Sequence, residues 1–308
     1  MIEGMMLTIE LSTEKYELCI AKPLSLAIPV NFISKKNTSK KNTSTKSAAV
    51  QPSHFTAPLA ASKPMQAGSF IGDTEQGGSC NVNELSINPH CNGTHTETIA
   101  HICDFNHELS RTIADINPAP LMPCVLVSIT PITVQNSSDD VCTFVDDSYT
   151  PELLTGDQLI TRTALASLIS DYSNEQLQCL VVRTLPNNQD KCSQIYSQNN
   201  QPSFFSREAI LYLNERSVEH LILDIPSLDR LHDDGLLTCH HLFWQVEEGR
   251  HQANENSLVN KTITEMAFIN NQISDGFYFI NLQVPAFIND AAPSNPVLYG
   301  CKSIVETE

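Results

Sequence analysis

The chain has 308 residues, of which 41% are hydrophobic, and its formal net charge is −17. A chain of this length can form one large domain or two, and its apolar fraction is enough for a sizeable core. The acidic balance argues against nucleic acid and anionic membrane surfaces as partners, because both bind proteins through a basic face.

The cysteines argue against stapled or zinc-ribbon architectures. Ten of them are scattered along the chain without a CxxC pair. Several lie inside apolar runs, as Cys124 does, which is typical of buried free thiols in a reducing compartment. The first residues lack a signal-peptide pattern, and no apolar run approaches the ~18 residues of a membrane-spanning helix. We therefore expect a soluble cytoplasmic protein with no membrane partner.

The first elements along the chain are short strands. Residues 7–11 and 16–20 flank a polar turn and predict a hairpin, and residues 24–32 predict another strand.

A biased segment follows at residues 34–47, which hold five lysines and no aromatic residue. A basic patch for an acidic partner is one interpretation, but the composition favours a solvated loop. Together with the Pro- and Ala-rich residues after it, the segment predicts an exposed insertion at about 34–64. Strand patterns on both sides suggest that it interrupts a single domain covering residues 1–308.

Residues 90–101 are the most informative part of the sequence. They concentrate side chains that bind metals or carry protons, namely His90, Cys91, His95, Glu97 and His101. In an extended segment His95 and Glu97 point to one face, and a neutral imidazole beside a carboxylate forms half of a metal site. Gly93 lets the backbone bend before them, and His101 is close enough to act as a base. We predict a metal or catalytic site here, and a His-rich polar loop is the alternative. The predicted secondary structure of this segment is a strand and a turn that lead into a helix through His107.

The remaining elements alternate between strand and helix patterns. Apolar runs predict buried strands at 123–131, 179–184 and 221–225, and helical spacing predicts helices at 158–172 and 206–216, the latter capped by Ser206. This alternation predicts a mixed α/β fold.

The segment Gly93-Thr94-His95-x-Glu97-x-x-x-His101 resembles the HxGTHxDxxxH signature of the cyclase-like metal-dependent hydrolases, which include bacterial kynurenine formamidase and isatin hydrolase. Residues 223–229 resemble the D-x-PS-x-D strand end of that family, and residues 263–265 resemble the strand that carries its second carboxylate. The resemblance extends over about residues 68–300. It implies the swivelling β/β/α domain of the cyclase-like type, a mixed sheet with flanking helices.

The resemblance also implies a set of site residues. The metal ligands would be Cys91, His95, Glu97, His240 and Glu265, and His101 would be the catalytic residue. Cys91 replaces the first His of the family signature and Glu97 replaces its Asp; both remain able to bind a metal. His90 could replace Cys91 by a small register shift, and His241 is the alternative to His240.

Several residues also have structural interpretations. Glu97 could be an acid at a helix N-terminus. A buried Glu265 without a partner would be unfavourable in its apolar stretch, which favours a metal ligand there. Asp224 and Asp229 are expected to cap strands and turns, Trp244 to lie in the core, and His232 to lie in an exposed turn.

The function implied by the resemblance is metal-dependent hydrolysis of an amide, formamide or cyclic amide, as in the arylformamidase of tryptophan catabolism. It implies one or two Zn or Mn ions per chain, a small-molecule substrate and a homodimer or higher homo-oligomer. A binding or structural relative without turnover is the alternative, motivated by Cys91 and Glu97. The sequence contains no GxSxG, GxGxxG or Walker motif.

Overall fold

The computed structural model describes residues 4–32, 51–135, 147–197 and 200–304. The strands are β1 (Met6–Leu11), β2 (Glu14–Cys19), β3 (Leu24–Ser25), β4 (Ala61–Pro64), β5 (Gln66–Ala67), β6 (Phe70–Ile71), β7 (Asn83–Ser86), β8 (His95–Glu97), β9 (Met122–Ile129), β10 (Ile132–Thr133), β11 (Gln158–Ile160), β12 (Cys179–Thr184), β13 (Phe204–Phe205), β14 (His220–Leu223), β15 (Thr262–Glu265), β16 (Gly276–Gln283), β17 (Ala291–Pro293) and β18 (Asn295–Ile304). The α-helices are α1 (Pro89–Asn92), α2 (Arg162–Ile169), α3 (Arg207–Glu215) and α4 (Thr238–Trp244). Short 3-10 helices cover Thr74–Gln76, Ile99–His101, Ile113–Asp115 and Gln189–Ser193.

One mixed sheet organises the described part of the chain. Its strand order is β1-β2-β18-β16-β9-β12-β14-β15-β8-β17, with β3 pairing to β18. Strands β9, β12, β14 and β15 run parallel, and the other neighbours in this sheet pair antiparallel. Because α2, α3 and α4 connect consecutive parallel strands, the predicted mixed α/β fold is confirmed.

The core lies on both faces of the parallel strands. Along β12, Leu180 and Val182 belong to the larger core cluster, which also contains residues of α2, α3 and α4. Cys179 and Val181 belong to a second cluster with residues of β16 and β18. This alternation explains the continuous apolar runs of the sequence, since both faces of the parallel strands are covered.

The N-terminal strands differ in part from the prediction. The hairpin is confirmed as β1 and β2, which pair antiparallel around a tight turn at residues 12–13. The strand predicted at 24–32 is wrong for most of its length, because only Leu24–Ser25 pairs with β18.

The insertion expected at about 34–64 also departs from the prediction where it is described. Residues 33–50, which include the whole lysine-rich segment, lie outside the described residues. Residues 51–54 are buried rather than exposed, and Ala61–Pro64 forms a strand that pairs with β7. Residues 51–54 are buried because a bridge between Ser53 and Ile195 anchors them to the body of the protein.

Helix boundaries follow local capping. The helix predicted at 206–216 is confirmed as α3, with the Ser206 hydroxyl accepting a hydrogen bond from the Ala209 amide. The helix predicted at 158–172 is shorter, because Gln158–Ile160 forms β11 and Thr161 caps α2. Within the described residues, no helix is long and apolar enough to cross a membrane.

Candidate metal centre

Strands β8 and β15 bring two carboxylates and an imidazole to one face of the sheet. They pair antiparallel, with His95 opposite Glu265 and Ile263 opposite Glu97. Strand side chains alternate faces, so Glu97 follows His95 on the face that Ile263 shares with the helices. The predicted common orientation of His95 and Glu97 is therefore confirmed. The strand predicted at the start of this segment is confirmed, because residues 95–97 form a buried strand, and the alternative of a His-rich polar loop is wrong there.

The turn before β8 requires glycine. Gly93 has φ 153°, a conformation that L-residues rarely adopt, and a Cβ built on it would lie 2.9 Å from Cγ2 of Val30. The Gly93 carbonyl also accepts a hydrogen bond from Nδ1 of His95 at 2.9 Å. In neutral His95 this bond leaves the lone pair of Nε2 free to bind a cation.

Glu97 lies at the centre of three imidazoles and is fully buried. Its Oε1 is 3.0 Å from Nε2 of His240, and its Oε2 is 3.1 Å from Nδ1 of His90 and 3.9 Å from Nε2 of His101. Burial by itself would raise the pKa of Glu97, but the neighbouring imidazoles of His101 and His240 hold this pKa well below its usual range. Glu97 is therefore an anion in this site.

Asp229 fixes the orientation of His240. Its Oδ2 accepts a hydrogen bond from Nδ1 of His240 at 2.5 Å, which turns Nε2 of the same ring towards Glu97. The backbone amides of Cys239 and His240 and the hydroxyl of Tyr149 also donate to Asp229. Burial opposes charge on His240, yet Glu97 and Asp229 raise its pKa well above the usual value.

Asp290 contacts two imidazoles at the exposed edge of the site. Its Oδ2 lies 2.7 Å from Nε2 of His90 and 3.4 Å from Nδ1 of His101, and the two rings stack with centroids 4.3 Å apart. Burial opposes charge on His90, but the carboxylates of Asp290 and Glu97 raise its pKa to about 10. Around a quarter of each His side chain is exposed, 23% for His90 and 25% for His101, so solvent reaches the site from this edge.

We call these residues the His/Glu cluster: His90, His95, Glu97, His101, His240 and Glu265. Three triplets of possible metal ligands lie with their ligand atoms within 4.8 Å of one another: His90–His95–Glu97, Glu97–His101–His240 and His90–His101–Asp290. Imidazole nitrogens and carboxylate oxygens are ligands that Zn and Mn accept.

One unpartnered atom tests whether the cluster fits a metal ion. Nε2 of His95 is buried and has no hydrogen-bond partner among the described residues. This atom lies 3.4 Å from Oε2 of Glu265. A buried polar atom without a partner destabilises a fold, and a cation bound between Nε2 of His95 and Oε2 of Glu265 would supply the missing partner. The residues present therefore fit a divalent metal.

The structure distinguishes the two pairs of alternative ligands that the sequence left open, His90 or Cys91 and His240 or His241. His90 belongs to two of the ligand triplets, whereas Cys91 and Glu265 belong to none of those that the described residues form. Glu265 is nevertheless within 3.4 Å of Nε2 of His95. The Cys91 thiol is buried, and burial followed by the charge of Glu265 raises its pKa. His240 contacts Glu97, whereas Nδ1 of His241 lies 3.3 Å from the Val246 carbonyl. In each pair, therefore, it is His90 and His240 whose side chains belong to the His/Glu cluster.

Other expectations from the sequence are also located. Trp244 is fully buried in the core, as predicted, and His232 is exposed in a turn. The helix predicted to follow the signature and reach His107 is wrong: a single 3-10 helix, Ile99–His101, is followed by turns. This 3-10 helix directs His101 back towards Glu97.

Sequence reasoning missed the roles of Asp229 and Asp290. Asp229 was expected to cap a turn, and it does accept two backbone amides, but it also holds His240. Asp290 directly precedes β17, and a carboxylate next to this apolar strand was the available signal. Asp224 caps as predicted, accepting the Thr184 amide.

Comparisons with known proteins agree on one family. A sequence model described as "Putative cyclase" matches residues 7–230. No curated protein matches the chain. A solved structure of a predicted metal-dependent hydrolase from Bacillus stearothermophilus is 14% identical, with 90% of this chain and 98% of that chain covered and a TM-score of 0.52.

Two further structures have similar values. Isatin hydrolase A from Labrenzia aggregata, bound to benzyl benzoate, is 13% identical over 90% of this chain and 93% of that chain, with a TM-score of 0.51. The structure of a novel cyclase is 13% identical over 91% of this chain and 89% of that chain, with a TM-score of 0.53. At these identities the likeness establishes the common fold, and the predicted cyclase-like architecture is confirmed.

Proposed function

The chain belongs to the cyclase family, and from that premise we propose that it is a metal-dependent hydrolase of a non-peptide C–N bond. The observation that supports the proposal best is the buried Nε2 of His95, which has no hydrogen-bond partner among the described residues and lies 3.4 Å from Oε2 of Glu265. A divalent cation bound between these two atoms would make them a ligand pair.

The metal ligands would come from the His/Glu cluster. His95, Glu97, His240 and Glu265 are buried, while His90 reaches the same centre from the exposed edge. A divalent metal held there would supply Lewis acidity, which makes water nucleophilic near neutral pH and polarises a carbonyl group. We propose one or two Zn or Mn ions per chain, since Glu97 has imidazoles on both of its oxygens.

His101 has the geometry of a proton carrier. Its Nδ1 lies 3.4 Å from the Asp290 carboxylate and its Nε2 faces the cluster, 3.9 Å from Glu97. When Nδ1–H of His101 donates a hydrogen bond to Asp290, the tautomer is fixed and Nε2 can accept a proton from water. The partly exposed ring can then deliver that proton to the leaving nitrogen of a substrate that enters from the solvent side.

The substrate we propose is a small amide, formamide or cyclic amide. Arylformamide hydrolysis in tryptophan catabolism is one member of this class, and lactam opening of the isatin type is another, supported by the shared fold with isatin hydrolase A. We also propose that the protein is a homo-oligomer that acts on small molecules in the cytoplasm.

The experiment is a hydrolysis screen of the chelator-treated protein with and without Mn²⁺ or Zn²⁺. Formanilide and isatin represent the open and the cyclic amide. We expect metal-dependent turnover of at least one of them, and a loss of about 10²-fold or more in kcat for His101→Ala with metal binding retained.

A matched control is His107→Ala, which removes an imidazole outside the His/Glu cluster and should keep full activity. Metal binding without turnover of any amide in the screen would favour the non-catalytic binding relative. Turnover that is equal in the chelated and the metal-loaded protein would refute the proposal.

A further inference from the structure

The buried ligands of the His/Glu cluster have almost no contact with solvent. His95, Glu97, His240 and Glu265 each expose 3% of their surface or less. An ion that binds them must therefore pass other side chains first, and a metal site needs an entry path of this kind. The path has to begin at side chains that solvent reaches.

Three partly exposed side chains at the edge of the site have the composition of a metal-binding group. His90, His101 and Asp290 expose 23%, 25% and 19% of their side chains, and one ligand atom from each lies within 4.8 Å of those of the other two. Both imidazoles aim a nitrogen at Oδ2 of Asp290, Nε2 of His90 at 2.7 Å and Nδ1 of His101 at 3.4 Å. Two imidazoles and a carboxylate are a ligand set for a divalent transition metal. We call these three residues the edge triplet.

The two imidazoles of the edge triplet also face inward. Nδ1 of His90 lies 3.1 Å from Oε2 of Glu97, and Nε2 of His101 lies 3.9 Å from the same oxygen. Each ring therefore has one nitrogen beside Asp290 and the other beside Glu97. The edge triplet and the buried carboxylate are thus connected through single imidazole rings.

Neighbouring rings continue this connection into the interior. His90 and His101 stack with centroids 4.3 Å apart, the His95 ring lies 5.1 Å from that of His90, and the His240 ring lies 5.4 Å from that of His101. His90 forms an inner ligand triplet with His95 and Glu97, and His101 forms another with Glu97 and His240. The edge triplet therefore shares one ligand with each of the two inner triplets.

The charge at this edge attracts cations. Asp290 pairs with His90 and His101 and, among the described residues, with no Lys or Arg. The chain as a whole has a formal net charge of −17. Sites lined by charge of one sign raise the association rate of oppositely charged ligands by about 10- to 1,000-fold. The exposed carboxylate of Asp290 is therefore placed to speed the arrival of a metal ion.

We propose that the edge triplet is an entry site, which captures a divalent metal ion from solvent and passes it to the buried ligands. Asp290 binds the ion only during entry, whereas His90 and His101 contact both the edge and the interior. The ion exchanges ligands on the way, and no covalent bond of the protein changes. The inference rests on the proposed function, since it takes the His/Glu cluster to be a metal centre and concerns how that centre is loaded.

An entry site and a support for a buried ligand affect the kinetics of metal binding differently. Uptake depends on how well the entry site holds the ion, so a weaker entry site slows uptake. Loss of support for a buried ligand instead speeds release, because affinity differences at one site arise mainly in the rate of release. Asp290 and Asp229 allow a matched comparison, since each carboxylate contacts an imidazole of the cluster but Asp229 is buried.

The experiment follows the absorbance of bound Co²⁺ by stopped flow after the ion is mixed with metal-free, full-length protein. We expect Asp290→Asn to take up Co²⁺ about tenfold more slowly than wild type, because it lacks the carboxylate that attracts and first binds the ion. Asp229→Asn should take up Co²⁺ at the wild-type rate and release it faster to excess EDTA. Asp290→Glu, which keeps a carboxylate, should recover part of the wild-type uptake rate.

Two controls separate the entry site from general effects. Asp104→Asn removes another exposed carboxylate, three residues after His101 in the chain, and should leave the uptake rate unchanged. The final absorbance at saturating Co²⁺ should be equal in wild type and Asp290→Asn, whose backbone carbonyl still accepts the Thr98 amide. Uptake that is slow but complete shows a changed path rather than a lost fold.

A wild-type uptake rate in Asp290→Asn, or equal slowing in Asp104→Asn, would overturn the entry site; normal amide hydrolysis would then leave the proposed function standing. Slow uptake by Asp290→Asn of a protein that hydrolyses no amide would support the entry site and count against the proposed function. A wild-type protein that binds no Co²⁺ would refute both.

Discussion

At the scale of single residues, the orientation of His240 depends on a carboxylate that is not itself in the His/Glu cluster. Oδ2 of Asp229 accepts a hydrogen bond from Nδ1 of His240 at 2.5 Å. We expect Asp229→Asn to weaken Mn²⁺ binding by about 10- to 100-fold, because partners behind a ligating imidazole fix its tautomer and raise its basicity. Asp275→Asn, which alters a carboxylate bound to Arg183 outside the site, is the control. Equal Mn²⁺ affinities of wild type and Asp229→Asn by calorimetric titration would contradict this role.

The choice between His90 and Cys91 gives a spectroscopic prediction. His90 lies 3.1 Å from Glu97, whereas Cys91 is in no ligand triplet of the described residues. Co²⁺-loaded protein should therefore lack the near-ultraviolet charge-transfer band of a cobalt–thiolate bond. Cys91→Ser should leave the Co²⁺ spectrum and affinity unchanged, and His90→Ala should weaken binding. An intense thiolate band that disappears in Cys91→Ser would show that the thiol is the ligand.

The sequence predicts a site residue only where a side chain that can bind a metal also stands out in the local pattern of polar and apolar residues. His95 and Glu97 are two apart on a strand, and Glu265 is a lone carboxylate in an apolar run, so both patterns indicate ligands. Asp229 has no such pattern, and the only local signal of Asp290 is a carboxylate directly before β17, because both meet the imidazoles through contacts between residues 11 to 200 positions apart. Those contacts depend on tertiary structure, which local spacing does not encode.

At the scale of elements, the turn into β8 sets the position of His95. Gly93 has φ 153°, and an added Cβ would lie 2.9 Å from Val30. We expect Gly93→Ala to lower the free energy of unfolding by about 1–3 kcal/mol, since this region of backbone conformation is strained for any other residue. Gly300→Ala in β18 is the matched control, because nothing lies within 4 Å of its added Cβ. Urea unfolding that gives the same stability for both variants would argue against a strained turn.

Elements with both a clear period and a cap were predictable, and short elements were not. Strand β12 is a continuous apolar run, and α3 combines Ser206 with an amphipathic pattern. By contrast, α1 and the 3-10 helix at Ile99–His101 are single turns, held by contacts outside themselves. The pairing of His95 with Glu265 joins residues far apart in sequence, so no local pattern indicates it.

At the scale of the whole molecule, stability should depend on pH through His220. This buried residue of β14 has Nδ1 2.8 Å from the Thr262 hydroxyl, and burial lowers its pKa from 6.5 to about 4. As pH falls below 6.5, His220 takes up a proton in the unfolded chain but not in the folded protein. The free energy of unfolding therefore declines until about pH 4, and His220 does not affect it above pH 6.5. The loss should be on the order of 3 kcal/mol.

His220→Gln cannot take up this proton, so its stability should fall less between pH 7 and pH 4.5 than that of wild type. Urea unfolding at the two pH values measures the difference. His232→Gln, which alters an exposed His, should behave like wild type. The same acid-induced loss in wild type and His220→Gln would exclude His220 as its source.

The fold of the whole molecule followed from strand and helix alternation together with the family signature, but the order of its strands did not. Strand β8 lies between β15 and β17, so the sheet edge that carries the His/Glu cluster is built from three distant parts of the chain. This arrangement concentrates buried carboxylates and imidazoles at one place, and the central claim is that a divalent metal joins them.

Metal content measures that claim most directly. Protein purified without chelators is analysed for its elements beside His95→Ala and the control His232→Ala. We predict about one to two equivalents of Zn or Mn per chain in wild type and control. His95→Ala should contain markedly less metal, because it lacks the Nε2 atom that faces Glu265. A metal-free wild-type protein that stays metal-free after incubation with Zn²⁺ or Mn²⁺ would contradict the account.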